Sequence, residues 1–387
     1  MLNFFSCLFI VLLLKCEAQV PNLLSVASHP RALYVFGDST VDCGLNTSGP
    51  SYHRPYACDS PLRGRFSNGY TVVDLLGLAL NLTVSMPFWE NDKDPNSIRT
   101  WSFDYADAPT AILSTVSINQ TMKIQIKHFE EHIKEYSPKF WPSANEVSNY
   151  LSKSIFVISI GTRDILDYYF DGNKYLNASG KISKSEFSDL LISELQKYLT
   201  ELYELGARMI LVFEIGPIGC YPIIVGSDKP PGWCLDELND IICTFNGKLY
   251  HKLTELASTL EGSTFILAKI YKQIYDIVEY PDKHGLEDTK NPCCLVNKSE
   301  EIYCTPYMKP CKRTDQFLFW DKLHLTERAN DLIASQCLND TDMCLPITSQ
   351  ESIPGTVLME SGKLGHHHNI LLCACSFLIQ VIQLNDS

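Results

Sequence analysis

Four short apolar runs, at residues 33–36, 154–160, 209–213 and 264–268, limit what this chain can fold into. Each is crowded with Val, Ile, Leu and Phe and is too short for an ordinary helix. Such runs suit strands covered on both faces. Between and after them lie stretches with apolar residues at helical spacing: 71–80, 122–136, 183–204, 235–260, 270–278 and 325–336. In 183–204 the repeat is Leu190, Leu191, Leu195, Leu199 and Leu202. Buried strands joined by helices of crossover length predict a parallel sheet with helices on both faces. Shorter strand-like pieces are expected at 81–84 and 101–103. Pro138 and Pro142 are expected to end the 122–136 helix. No repeat or linker divides the core, so one domain is expected over 31–345.

The two ends differ from this core. Residues 1–18 hold an apolar run and small residues ahead of Gln19, which predicts a secretory signal peptide, although its start lacks a basic residue. Residues 346–387 are first polar, then apolar over 370–384, a run too short for a span. Membrane anchoring of this tail is not expected; a lipid-anchor signal near Ser361 and Gly362 is the alternative. His366, His367 and His368 read as an accident of sequence rather than a metal site.

Six N-x-Ser/Thr sequons ahead of the C-terminal tail, at Asn46, Asn81, Asn119, Asn177, Asn297 and Asn339, fit a secreted, extracellular glycoprotein. So do the 15 cysteines. Two lie in the expected signal and two in the tail, leaving eleven, so at least one is unpaired or bonded to another chain. Residues 293–311 read as a disulfide-tied loop. No Cys/His spacing reads as zinc, and no metal or cofactor is expected. The net charge of -13 opposes binding to nucleic-acid phosphates, and solubility is its plain reading. A monomer is expected.

The chemistry begins where the first apolar run ends. Gly37-Asp38-Ser39-Thr40 makes a polar turn at the C-terminal end of a strand, where ligand chemistry sits in open α/β sheets. Alone, Ser39 reads more readily as a turn serine capping the next helix. Far downstream, Asp321 and His324 supply a carboxylate and an imidazole three residues apart. In a short turn, that spacing aims the carboxylate at one ring nitrogen and leaves the other for a nucleophile. The chain order is Ser, Asp, His, with no Gly-x-Ser-x-Gly elbow.

Several segments together resemble the plant GDSL esterase/lipase family, within the SGNH hydrolases. They are Phe36-Gly37-Asp38-Ser39, Gly64-Arg65-Phe66-Ser67-Asn68-Gly69, Ile158-Ser159-Ile160-Gly161, Gly216-Pro217-Ile218-Gly219-Cys220 and Phe319-Trp320-Asp321-Lys322-Leu323-His324. The resemblance implies a flavodoxin-like three-layer α/β/α sandwich with a central parallel sheet. It implies ester hydrolysis on a small acyl ester or lipid-like substrate, with Ser39 as nucleophile, His324 as base then acid, and Asp321 orienting it. The family's oxyanion hole uses the nucleophile's own N–H, a glycine N–H and an asparagine side chain.

Here the last two positions correspond to Pro109, which has no N–H, and Arg163. Thr40 stands where leucine is usual. Ala108 or Thr110 could offer a substitute N–H, and Arg163 a guanidinium. Two functions follow: a working esterase, supported by Ser39, Asp321 and His324, or a catalytically impaired binding protein, supported by Pro109 and Arg163.

Overall fold

A computed structural model describes Leu23, Ala27 and residues 29–44, 64–88, 101–113, 121–141, 143–171, 175–177, 180–226, 230–294, 302–304, 308–340 and 342–347. The expected signal peptide, the tail beyond Ile347, and the sequons at Asn46, Asn119 and Asn297 lie outside the described residues.

Seven strands form one sheet: Leu33–Gly37 (β1), Ser85–Pro87 (β2), Ser102–Asp104 (β3), Ile155–Ser159 (β4), Met209–Phe213 (β5), Thr264–Ala268 (β6) and Cys344–Ile347 (β7). Their order is β7-β6-β5-β4-β1-β3-β2. The described helices of eight residues or more are Val72–Ala79 (α1), Met122–Phe140 (α2), Ala144–Leu151 (α3), Thr162–Phe170 (α4), Lys184–Glu204 (α5), Asp236–Thr259 (α6), Ile270–Glu279 (α7) and Glu327–Asn339 (α8).

The pleat of β1 shows why both sheet faces are covered. Tyr34 stacks on its register partners Phe103 and Phe156, at 5.3 and 4.9 Å between ring centroids. Phe129 of α2 meets Tyr34 and Phe36 edge-on from the same side. Each such pair contributes about 0.5–1.5 kcal/mol beyond its burial. Leu33 points the other way and reaches Gly77 of α1, with 3.7 Å to the place a Cβ would occupy. The result is helix on sheet on helix.

The sheet is parallel except for β7, which runs antiparallel to β6 and pairs Cys344 with Ala268 and Pro346 with Ile266. A proline cannot donate to a ladder, so Pro346 fits only an edge strand. The sheet therefore runs past the expected domain end at 345. At the other end, Leu23 and Ala27 are buried in the core ahead of the expected start at 31.

Other expectations shift as well. Residues 81–84 form the turn leaving α1, with Asn81 at φ 60°, and the strand follows at Ser85. The helix expected to stop before Pro138 runs to Phe140. Leu191, Leu195, Leu199 and Leu202 of α5 are buried, whereas Leu190 is 48% exposed. That helix starts on a capping box: the Glu186 N–H donates to Ser183 Oγ and the Ser183 N–H to the Glu186 carboxylate.

Among the described cysteines, disulfides join Cys220–Cys234, Cys293–Cys311, Cys294–Cys304 and Cys337–Cys344. Cys243 is also disulfide-bonded, and Cys43 is free and buried. Among the described residues no helix is long and apolar enough to cross a membrane.

Candidate active site

The parallel strands end on a common rim, and β1 carries Ser39 there. Gly37 sits at φ +151°, and a Cβ on it would lie 2.0 Å from the Ser159 carbonyl oxygen of β4. Only glycine allows that approach. Gln125, on the buried side of α2, then clamps Gly37 from both sides. Its Oε1 accepts the Gly37 N–H at 2.9 Å, and its Nε2 donates to the Gly37 carbonyl at 2.7 Å. The Asp38 N–H donates to Ser159 O at 3.0 Å.

The Asp38 carboxylate accepts the Thr40 N–H at 3.0 Å and the Thr40 hydroxyl at 2.7 Å, closing the turn around Ser39. Burial nevertheless lifts the Asp38 pKa above the ordinary carboxylate value. The Ser39 side chain is half-buried. Among the described residues no backbone acceptor pairs with the Ser39 N–H.

The second half of the site is the turn at residues 321–324. Asp321 Oδ1 accepts the Leu323 N–H at 2.9 Å and the His324 N–H at 2.8 Å, so the carboxylate folds its own turn. Both of its oxygens lie 3.0 Å from His324 Nδ1. The opposite ring nitrogen, Nε2, is 2.7 Å from Ser39 Oγ. Asp321 and His324 are 1% and 2% exposed, which makes this pairing nearly free of competing water. The structure thus brings Ser39, His324 and Asp321 into one hydrogen-bonded line. That line can move a proton from the serine hydroxyl to the imidazole.

The Gly64–Gly69 segment holds the two halves together. Arg65 makes a bidentate ion pair with Asp74 of α1, at 2.6 and 2.7 Å, and donates to the Ser85 carbonyl. Phe66 packs its ring 4.8 Å from that of His324. Asn68 Oδ1 accepts the Glu327 N–H at the first turn of α8, just past the histidine. Tyr303 covers His324 from another loop, at 5.5 Å. Gln125, Phe66, Asn68 and Tyr303 were not assigned to the site from the sequence. A glutamine on the apolar face of α2 is the one local signal that could have flagged Gln125.

The other two oxyanion positions are less favourable. Pro109 follows a cis peptide bond and is exposed. The substitute donors are spoken for: the Ala108 N–H goes to Asp42 at 3.0 Å and the Thr110 N–H to the Asp107 carbonyl at 2.9 Å. Neither amide is left for a substrate, which corrects that expectation. Arg163 lies in the first turn of α4, 39% exposed, with Nε donating to Asp167 at 2.9 Å.

A cavity runs behind the imidazole, lined by His324, Thr40, Thr162, Glu214, Ile215 and Tyr221 among others. Burial pushes the Glu214 carboxyl up to about 7, against the Tyr271 N–H and Lys269, which favour its charge.

The family model for GDSL-like lipases and acylhydrolases matches residues 33–337, from the first residue of β1 into α8. The chain belongs to this family. It is 33% identical over 318 residues to GDSL esterase/lipase 7 of Arabidopsis thaliana, covering 78% of this chain and 86% of that protein. It is 28% identical over 357 residues to GDSL esterase/lipase LTL1 of the same plant, covering 89% and 96%. An acetyl xylan esterase structure from Geobacillus stearothermophilus aligns over 79% of this chain and 92% of its own, with a TM-score of 0.34 and 12% identity. As a GDSL-family member the protein is a carboxylic ester hydrolase.

Proposed function

We propose that this GDSL-family hydrolase is a secreted serine esterase that cleaves a small or lipid-like acyl ester through an acyl-enzyme. The observation that carries the reading is the line from Ser39 Oγ through both ring nitrogens of His324 to the Asp321 carboxylate. In the first step Ser39 Oγ attacks the ester carbonyl carbon while its proton passes to His324 Nε2. Asp321 holds the Nδ1–H and stabilises the imidazolium. The proton then goes to the leaving alcohol, and the acyl group stays on Ser39. Water, deprotonated by the same nitrogen, attacks the acyl carbon, and that proton passes back to Ser39 Oγ as the acid leaves.

The Ser39 N–H serves as one oxyanion donor. Arg163 serves as a second, through Nη groups that make no hydrogen bond among the described residues. Loss of one donor from such a hole costs about a hundred- to thousandfold in turnover, so a hole short of the glycine N–H predicts slow catalysis.

Secretion is supported by the disulfides and by Asn81 and Asn339, two sequon residues that are exposed at helix ends. Turnover of p-nitrophenyl acetate and butyrate by the wild type and by Ser39→Ala tests the reading. The esterase reading expects turnover that the substitution abolishes. Equal rates from both proteins support the binding-protein reading instead.

A further inference from the structure

We propose that Tyr303, together with Phe66, is a positioning residue that packs against one side of His324 and favours its imidazolium form. This inference rests on the serine-esterase reading, and it deepens the role of the histidine.

Three rings form a closed triangle. Phe66 lies 4.8 Å from His324 at an interplanar angle of 31°. Tyr303 lies 5.5 Å from His324 at 34°. Phe66 and Tyr303 meet edge-on at 5.5 Å. Both contacts to the imidazole fall within the roughly 6 Å over which an aromatic face attracts a cation. The geometry matters because His324 is almost fully buried. Burial opposes the positive charge that the ring must accept when Ser39 gives up its proton. Asp321 offsets that cost at the ring edge, and the two adjoining aromatic rings offset it from one side.

Tyr303 is fastened where this role requires. Its neighbour Cys304 is bonded to Cys294 and donates its N–H to Asp321 Oδ2 at 3.4 Å. On its other side, the Ile302 carbonyl accepts the Lys322 N–H at 3.1 Å. The backbone around Tyr303 is thus tied to the same turn that carries the histidine. Among the described residues, the charged and titratable groups around the imidazole are Asp321 on its own turn, Asp38 beside the nucleophile and the Tyr303 phenol. Glu214 and Tyr221 line the cavity behind the ring. Arg163 acts on the Tyr303 phenol from α4. None of these groups is removed when Tyr303 becomes leucine, apart from the phenol itself.

The test is a nuclear magnetic resonance titration of ring-labelled histidine in the full secreted chain. His324→Gln assigns the signal. Tyr303→Leu keeps the apolar bulk but removes the π face, and Tyr303→Phe keeps the face but removes the hydroxyl. The inference expects the His324 midpoint to fall by about 0.5 to 1 pH unit in Tyr303→Leu and to stay at the wild-type value in Tyr303→Phe. Phe66→Leu lowers it in the same direction. The Tyr303→Leu enzyme should also lose severalfold in kcat with little change in KM, and the acid limb of its kcat profile should move to lower pH. A Tyr303→Leu midpoint equal to or above the wild-type value overturns the inference, as does an equal fall in Tyr303→Phe. Because the titration needs no turnover, it reads the ring contact even if Ser39→Ala leaves ester cleavage unchanged and the esterase reading fails.

Discussion

Ser39 Oγ lies 2.7 Å from His324 Nε2, across 285 residues of chain. Neither residue is placed by its own segment alone. Ser39 is fixed through the Gln125 clamp on Gly37, and His324 through Asn68 at the start of α8 and the Asp321 carboxylate within its turn. The site therefore depends on Gln125 and Asn68, which lie outside the Ser39–His324–Asp321 line.

Asp321→Asn keeps the size of the side chain but presents an amide to Nδ1. The amide cannot stabilise an imidazolium and favours the wrong ring tautomer. The expected loss in kcat is on the order of 10³–10⁴, with KM little changed, in steady-state assays on a p-nitrophenyl ester. A loss below tenfold contradicts the role given to this carboxylate.

Arg163 can be tested against the residue its family position usually holds. Arg163→Asn is expected to raise kcat roughly tenfold or more, because a neutral amide donates to the oxyanion without opposing the imidazolium. Arg163→Ala is expected to lower it. Unchanged rates in both variants take Arg163 out of the oxyanion hole.

Glu214 supplies a pH dependence of stability. Its folded pKa is raised to about 7, whereas an unfolded glutamate titrates near its ordinary value of 4.5. Between those values the unfolded chain has released a proton that the folded chain still holds. Stability contributed at this site is therefore lost as pH rises from about 4.5 through 7. Glu214→Gln does not titrate, so its melting temperature relative to wild type should climb across that window and level off above it. A constant difference from pH 4 to pH 8 refutes the prediction.

Gly37→Ala places a methyl group 2.0 Å from the Ser159 carbonyl oxygen, a backbone atom that cannot swing aside. The strands β1 and β4 must part directly before Ser39. The expected outcome is a fall in melting temperature of several degrees, with loss of esterase turnover in the protein that still folds. Wild-type stability and activity together contradict the close approach.

Arg65→Met removes one partner of an ion pair whose side chains are almost fully buried and leaves Asp74 without its guanidinium. Such a change costs about 3–5 kcal/mol, read as a lower denaturation midpoint in urea. The Asp74 carboxylate also accepts from Thr71 and Ser85, so the damage should spread to the start of α1 and to β2.

The parts legible in the sequence were those whose local pattern matched their surroundings. Met209–Phe213 and Thr264–Ala268 were located to the residue, because strands buried on both faces need uniformly apolar side chains. Ser85–Pro87 and Cys344–Ile347 were displaced or missed, because each edge strand contains a proline that weakens any strand signal. Within the site, residue type and spacing made Ser39, Asp321 and His324 candidates, and the family resemblance supplied their roles. Gln125 was not, since its role depends on Gly37, 88 residues away. The engagement of the Ala108 and Thr110 amides could not be read either, because it depends on loop closure onto Asp42 and Asp107.

The most direct measurement of the central claim is fluorophosphonate labelling of the purified chain, followed by peptide mass mapping. An activated hydroxyl at Ser39 predicts one phosphonate adduct on the peptide carrying Asp38-Ser39-Thr40, absent from Ser39→Ala and strongly reduced in His324→Gln. No adduct, or the same adduct in all three proteins, contradicts the account.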